Sequence, residues 1–156
     1  AGAPFALDPL LPTLVLGAHP HCPCTRATLR ELDRLAARCA GRVRMHVLFY
    51  ADPELGSEWT RSDLWRQAHS IPGVEVASDP LGATAALFGA RTSGQVFLFG
   101  PDGRLLFEGG ITAARGHEGD NAGARAVRDL VLEGSARIEQ SPVFGCALAP
   151  ETGARS

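Results

Sequence analysis

The chain has 156 residues, of which 45% are hydrophobic and 21% charged, and its net charge is −2. This length suits one domain with a single core. The charge balance lacks the basic excess of a nucleic-acid-binding protein, so we expect no nucleic acid as a partner. No apolar run approaches the roughly eighteen residues that a membrane span requires, so we expect no membrane span in this chain.

The two ends of the chain differ from the rest in pattern. Residues 1–12 are rich in Ala, Pro and Leu, and residues 135–156 follow the last predicted helix. We interpret the first stretch as the remnant of a trimmed leader or as a linker, which favours an extracytoplasmic location, either periplasmic or membrane-tethered. We expect a single domain over residues 1–156, on which the C-terminal stretch packs as a tail.

Strands and helices alternate in the first half of the chain. The β-prone run Thr13–Gly17 leads into a helix that Pro23 starts and Gly41 stops. A strand at Val43–Tyr50 follows this helix. The apolar positions of the helix recur at three- and four-residue steps, which predicts one buried stripe of four residues: Thr28, Leu32, Leu35 and Cys39.

Two further helices and a short strand follow. Residues 60–68 predict a helix in which Thr60 and Asp63 form a capping pair. Val74–Ala77 can form a short strand. The dipeptide Asp79-Pro80 then has the pattern of a helix cap and first turn, for a helix that ends near Phe88.

The last third of the chain has a different pattern. Two β-rich runs, Gln95–Phe99 and Arg104–Phe107, flank the turn sequence Gly-Pro-Asp-Gly and predict an antiparallel hairpin. Asp120 or Asn121 can cap a last helix, which Gly134 stops. A βαβ crossover, a hairpin and a helix in this order predict an α/β protein with a mixed central sheet of about five strands, flanked by about four helices.

Cys22 and Cys24 lie together at the predicted start of the first helix. A helix N-terminus stabilises an anion, and a thiolate is the form in which cysteine acts as a nucleophile or a metal ligand. His19 and His21 lie beside these cysteines, where an imidazolium would lower the thiol pKa and a neutral imidazole could ligate a metal. A disulfide across one intervening residue would be strained and easily reduced.

The stretch TLVLGAHPHCPCTRATLRELDRLA, residues 13–36, resembles the strand, active-site turn and first helix of the thioredoxins without a gap. Cys22 matches the nucleophilic cysteine of that family. Thr25 stands where the family has its second cysteine, and Cys24 stands where the family usually has proline. The resemblance implies a thioredoxin-like fold over about residues 13–134.

Two later segments add to this resemblance. FGARTSG, residues 88–94, resembles the segment that leads to a cis-proline beside the active site, and here Gly94 occupies the proline position. The hairpin QVFLFGPDGRLLFEGG is similar to the periplasmic thioredoxin-like and peroxiredoxin-like branch. The segments HCPCT, GGITAARGHEGDN and VFGC together resemble the bacterial RedB group.

The resemblance implies a thiol–disulfide oxidoreductase that needs no cofactor. Cys22 would attack disulfides, Cys24 or Cys146 would resolve the mixed disulfide, and Ser93 with Gly94 would shape the groove for the partner. The expected partners are protein thiols or disulfides, or a small thiol. In the same topology the loop of residues 109–121, which carries Arg115 and His117, lies beside Cys22.

A soft-metal module is the alternative that the residues leave open. Copper can be held by Cys22, Cys24 and a third ligand, for which the candidates are His21, His19, His117 and Cys146. The other polar residues are expected to have ordinary roles: Glu118 and Asp120 in a solvated loop, and His46 and His69 on the surface.

Overall fold

The computed structural model describes residues 6–150 and contains one five-stranded mixed sheet in the order β3-β2-β1-β4-β5. The central pairs β1–β2 and β2–β3 are parallel, whereas β1–β4 and β4–β5 are antiparallel. This arrangement confirms the predicted α/β fold with a mixed sheet. The strands are β1 Thr13–Ala18, β2 Arg44–Ala51, β3 Val74–Pro80, β4 Gln95–Phe99 and β5 Leu105–Gly109.

Helices cover both faces of the sheet. One face carries the main core, to which α1, α3 and α5 contribute Leu29, Leu64 and Val127. The other face holds a small cluster of Tyr50, Ala85 of α4 and Leu148 of the tail. The described helices are α1 Thr25–Arg38, α2 Ser57–Thr60, α3 Asp63–His69, α4 Ala83–Phe88 and α5 Ala122–Glu133.

The periodic stripe of α1 is buried, as predicted. Cys39 is 0% exposed and belongs to the main core, so its predicted core role is confirmed. The helix begins at Thr25, two residues later than Pro23, because the preceding residues form a turn in which the Thr25 N–H donates to the Cys22 carbonyl oxygen at 3.0 Å. Cys22 and Cys24 therefore lie in the turn that leads into the helix.

Two predicted helix caps are wrong. Ser62, and not Thr60, caps α3 by accepting the Trp65 N–H, because Thr60 is buried as the last residue of α2. Asp79 is not the adjacent cap of a helix, because β3 continues through Pro80. Its carboxylate instead accepts the N–H groups at the start of α4, each at 2.9 Å. Of the two candidates for α5, Asn121 is the cap.

The segments outside the core elements pack on the sheet where they are described. Asp8 accepts a hydrogen bond from Arg44 Nε at 2.9 Å, which ties the first described residues to β2. The first five residues of the predicted leader remnant and the last six of the tail lie outside the described residues. Among residues 6–150, no helix has the length and apolar character needed to span a membrane.

The tail, residues 135–150, follows the edge of the sheet and then crosses to its other end. The Glu108 N–H of β5 donates to the Glu139 carbonyl at 3.0 Å, and the Ser141 N–H donates back to Glu108 at 3.2 Å. Further along, Ala147 forms an antiparallel bridge with Thr92. The tail thus joins the free edge of β5 to the loop that precedes β4.

Candidate thiol site

Cys22 lies in the turn between β1 and α1, where the sheet ends and the first helix begins. Its N–H donates to the His19 carbonyl at 3.3 Å and its own carbonyl accepts from Thr25. The residue is only 1% exposed, yet it belongs to neither hydrophobic cluster. Burial of Cys22 therefore reflects contact with the tail and with polar neighbours.

The tail brings a second cysteine to Cys22. The Cys146 N–H donates to Cys22 Sγ at 3.3 Å, across 124 residues of sequence. All four cysteines are free thiols, so neither Cys22–Cys24 nor Cys22–Cys146 is a disulfide in this structure. Cys24, which is half-buried, occupies the N-cap position of α1. A disulfide between Cys22 and Cys24 stays a prediction.

The hydrogen bonds at the site shift the pKa values of Cys22 and Cys146 in opposite directions. Burial by itself raises the pKa of Cys22, but hydrogen bonds from Cys146, Thr25 and Cys24 outweigh it and lower that pKa to about 7. The hydrogen bond to Cys22, together with burial, raises the pKa of Cys146 to about 11. At neutral pH, thiolate and thiol forms of Cys22 are therefore both populated, whereas Cys146 stays protonated and can donate.

A short relay of hydroxyl groups connects Cys22 to the loop before β4. Ser93 Oγ accepts the His19 N–H at 2.8 Å and lies 2.7 Å from Thr25 Oγ1. Either hydroxyl can donate in this pair, and when Ser93 donates to Thr25 the Thr25 proton is free for the hydrogen bond that lowers the pKa of Cys22. Thr25, at the family's second-cysteine position, supplies a donor in place of a thiol.

Replacing Thr25 by valine should raise the pKa of Cys22. A hydrogen bond to a charged group contributes roughly 1.5–3 kcal/mol, and one pKa unit corresponds to about 1.4 kcal/mol, so we expect an increase of about one unit or more from about 7. The thiolate would then form at higher pH than in the wild type. The measurement is the ultraviolet absorbance of the thiolate as a function of pH, taken as the difference from Cys22→Ser.

Thr25→Ser is the matched control, because it keeps the hydroxyl. We expect its titration to remain near that of the wild type. Equal titration curves for Thr25→Val and wild type would contradict the assigned role of the Thr25 hydroxyl.

Ser93 contacts both Thr25 and the tail next to Cys22, where the resemblance placed the partner groove. The Ser93 N–H donates to the Cys146 carbonyl at 2.8 Å, and the Leu148 N–H donates to the Arg91 carbonyl at 2.9 Å. The tail therefore pairs with this segment through an isolated antiparallel bridge between Ala147 and Thr92.

Gly94 replaces the family's cis-proline with a different backbone arrangement. Its φ is +96°, a conformation that favours glycine, and its N–H donates to the Gly17 carbonyl at 2.7 Å. Proline has no N–H and could not make this bond. Residues 6–150 contain no cis peptide bond.

The two histidines next to the cysteines turn towards aromatic residues. His21 Nε2 donates to the Trp59 carbonyl at 2.7 Å, and the His19 ring stacks on Tyr50 with ring centroids 5.8 Å apart. Burial and the neighbouring His21 lower the pKa of His19, and its Nδ1 accepts the His21 N–H at 3.1 Å. His19 is therefore a neutral acceptor, and hydrogen bonds rather than an imidazolium lower the pKa of Cys22.

Arg115 and His117 are the two predicted site residues in the loop of residues 109–121, and only Arg115 contacts the tail at the site. Arg115 donates to the Gly145 carbonyl at 2.9 Å and so holds the tail next to Cys146. His117 is exposed, and its N–H closes a turn on Ala114 at 3.1 Å. No contact places His117 in the group around Cys22, and its predicted role at the site finds no support.

One expectation of an ordinary surface position needs correction. Glu118 is exposed, as expected of a solvated loop, and it also accepts from Arg30 at 2.5 Å and from Arg34 at 2.8 Å, which ties the loop to α1. His46 is buried at 9% exposure, because β2 is an inner strand between β1 and β3. His69 is exposed, as predicted, at the end of α3.

A metal centre is not apparent among the described residues. In residues 6–150, no group of three or more His, Cys, Asp or Glu side chains is placed to hold a metal ion. The ring of His21, the proposed third ligand, is engaged with the Trp59 carbonyl. The copper alternative stays a prediction.

Sequence reasoning missed three contributors to the site. Thr25 was noted only as a departure from the family motif, although a hydroxyl at that position signals a donor to the thiol. Leu148 anchors the tail and is 3% exposed, and the apolar spacing of Cys146 and Leu148 was a signal for a strand. The buried Glu31, which accepts the Gly119 N–H at 2.8 Å, gave no signal beyond its place on α1.

Comparison with known proteins finds similarity in structure. No protein-family model matches the chain, and the comparison with curated proteins gives no significant match. An uncharacterized conserved protein from Geobacillus kaustophilus has a TM-score of 0.72 at 20% identity, covering 91% of this chain and 78% of that one. A hypothetical protein from Sinorhizobium meliloti has a TM-score of 0.70 at 24% identity, covering 91% and 81%.

A third similar solved structure is that of a thioredoxin. The exposed lipoprotein thioredoxin of Streptococcus pneumoniae has a TM-score of 0.53 at 15% identity and covers 79% of this chain and 84% of that one. At such identities the likeness concerns the fold, and the sheet order, with Cys22 in the turn before α1, agrees with it. The chain therefore has a thioredoxin-like fold.

Proposed function

We propose that the chain is a thiol–disulfide oxidoreductase in which Cys22 is the nucleophile and Cys146 the resolving thiol. The observation that carries this proposal is the contact between Cys146 and Cys22 Sγ, with the N–H donor at 3.3 Å. Disulfide exchange needs a thiolate and a second thiol within reach. The lowered pKa of Cys22, at about 7, supplies the thiolate.

The reaction transfers two electrons from the chain to a partner disulfide. The Cys22 thiolate attacks one partner sulfur, the partner S–S bond breaks, and one partner thiolate leaves. Cys146 then loses its proton and attacks Cys22 Sγ, which releases the second partner thiolate and leaves a Cys22–Cys146 disulfide. An external dithiol then reduces this disulfide, becomes a disulfide itself and restores the two thiols. In the reverse direction, the Cys22–Cys146 disulfide accepts two electrons from two partner thiols, which leave joined as a disulfide.

The order of these steps follows from the charge on Cys22. The hydrogen bond to Cys22 is the largest cause that raises the pKa of Cys146. When Cys22 enters the mixed disulfide, its negative charge disappears and this cause is lost. Cys146 is therefore held protonated before the first attack and becomes easier to deprotonate after it.

The partners that fit this chemistry are protein disulfides or dithiols, or a small thiol. An extracytoplasmic setting suits the function, because disulfides persist in oxidising compartments. Support comes from the likeness to an exposed lipoprotein thioredoxin. Membership of the RedB group rests on the sequence segments alone and stays part of the proposal.

Replacing Cys146 by serine should trap the mixed disulfide. Without the resolving thiol, the bond between Cys22 and the partner persists, and we expect its lifetime to increase by on the order of 100-fold in the absence of added thiol. The measurement is the mass of the intact protein after reaction with a disulfide-bonded peptide.

Cys24→Ser is the matched control, because it removes the other nearby thiol. We expect this variant to resolve the mixed disulfide as the wild type does. Accumulation in Cys24→Ser, with none in Cys146→Ser, would assign the resolving role to Cys24 and contradict the proposal.

A further inference from the structure

The tail fills the position that a partner must take. Cys22 is 1% exposed, and the sulfur of an attacked disulfide must reach the place next to Cys22 Sγ that Cys146 now occupies. A polypeptide disulfide can therefore react only after the tail has moved. The contacts that hold the tail in place therefore indicate which kind of partner segment can replace it.

Main-chain hydrogen bonds hold the tail at this edge. Ser93 donates to the Cys146 carbonyl at 2.8 Å, and Leu148 donates to the Arg91 carbonyl at 2.9 Å. These bonds use only backbone groups, so any extended polypeptide in the same orientation can make them. The main-chain bonds of Ser93 and Arg91 therefore do not select the sequence of the partner.

The side chains of the tail alternate, as in a strand. Cys146 lies against Cys22, Ala147 is exposed, and Leu148 is buried at 3% exposure. Leu148 packs with Tyr50 and Ala85, and partly with Ala90. Gly17 borders the same pocket, since a Cβ there would lie 3.3 Å from Leu148 Cδ2.

We propose that the chain recognises an extended polypeptide with a disulfide-bonded cysteine and an apolar residue two positions after it, and that this segment displaces the tail. The cysteine takes the place of Cys146 beside Cys22, and the apolar side chain enters the pocket of Leu148. The proposal rests on the proposed function, because it assumes that Cys22 attacks disulfides. The tail is then an internal copy of the partner segment.

Peptides of one length and different sequence test this proposal. The first is VFGCALAP, the sequence of residues 143–150, with its cysteine joined to a thiopyridyl group as a disulfide. In the Cys146→Ser protein, the Cys22 thiolate attacks the peptide sulfur, the bond to the pyridine sulfur breaks, and thiopyridone is released and measured by absorbance. The second peptide has serine in place of leucine, and the third has its alanine and leucine exchanged.

We expect the first peptide to react about tenfold faster than the other two, because only it buries a leucine side chain at the correct position. In the double variant Cys146→Ser, Leu148→Ser, the tail no longer competes for the pocket, and this preference should increase. Equal rates for the three peptides would overturn the proposal. Disulfides linking two copies of the wild-type chain in place of peptide capture would also overturn it, because the occupant would then be a second tail.

Dipyridyl disulfide separates this proposal from the function on which it rests. This small molecule has no main chain and no leucine, so, after subtraction of the signal from Cys22→Ser, it reports the reactivity of Cys22 without peptide recognition. Reaction with dipyridyl disulfide together with equal peptide rates would reject the recognition rule alone. Failure of Cys22 to react with any of these disulfides would reject the oxidoreductase function itself.

Discussion

Cys22→Ser should abolish disulfide exchange by this protein. We expect the rate to fall by on the order of 100-fold or more, because a hydroxyl is not ionised at neutral pH and does not attack a disulfide sulfur. Both bonds of the proposed cycle involve Cys22 Sγ, so no intermediate can form without it. The measurement is the rate at which the protein reduces a disulfide-bonded peptide when an external dithiol is supplied.

Two cysteine variants act as controls for this result. Cys39 is 0% exposed in the main core, and burial raises its pKa, so Cys39→Ala should leave the rate near that of the wild type once the folded fraction is taken into account. Cys24→Ser removes a thiol next to Cys22 but keeps the backbone N–H of residue 24, which donates to Cys22. Its rate should therefore also remain near that of the wild type. Substantial exchange by Cys22→Ser would mean that the nucleophile has been misassigned.

Gly145→Ala should release the tail and expose Cys22. A Cβ at residue 145 would overlap the carbonyl oxygen of Ser93, which belongs to the backbone and cannot move freely. Overpacking of this kind costs about 1–3 kcal/mol, and about 1.4 kcal/mol corresponds to a factor of ten. We therefore expect Cys22 to be alkylated by iodoacetamide about tenfold faster than in the wild type.

The position of the label and a second tail variant make this result specific. Mass spectrometry of the digested protein should place the added label on Cys22, and the Ser93 amide, which loses the Cys146 carbonyl as its acceptor, should exchange its hydrogen faster. Ala147→Ser changes an exposed residue of the same tail and should leave both rates unchanged. Unaltered alkylation in Gly145→Ala would show that the tail does not limit access to Cys22.

Local patterns in the sequence were sufficient for the main elements. The stripe of α1, the hairpin of β4 and β5 and the cap of α5 depend on residues only a few positions apart, and the structure contains all three. The prediction of a helix cap was wrong where two nearby residues could both cap the same helix. Ser62 took the cap expected at Thr60, because Thr60 completes the turn of α2.

The sequence by itself determined that Cys22 lies between the first strand and the first helix of a mixed sheet, since short-range spacing decides where strands end and helices begin. Only the tertiary structure decided which groups surround that sulfur. The contact with Cys146 joins residues 124 positions apart, and the contact between Thr25 and Ser93 spans 68. Such pairs depend on the route that the tail and the loop before β4 take across the folded sheet, and no local pattern specifies that route.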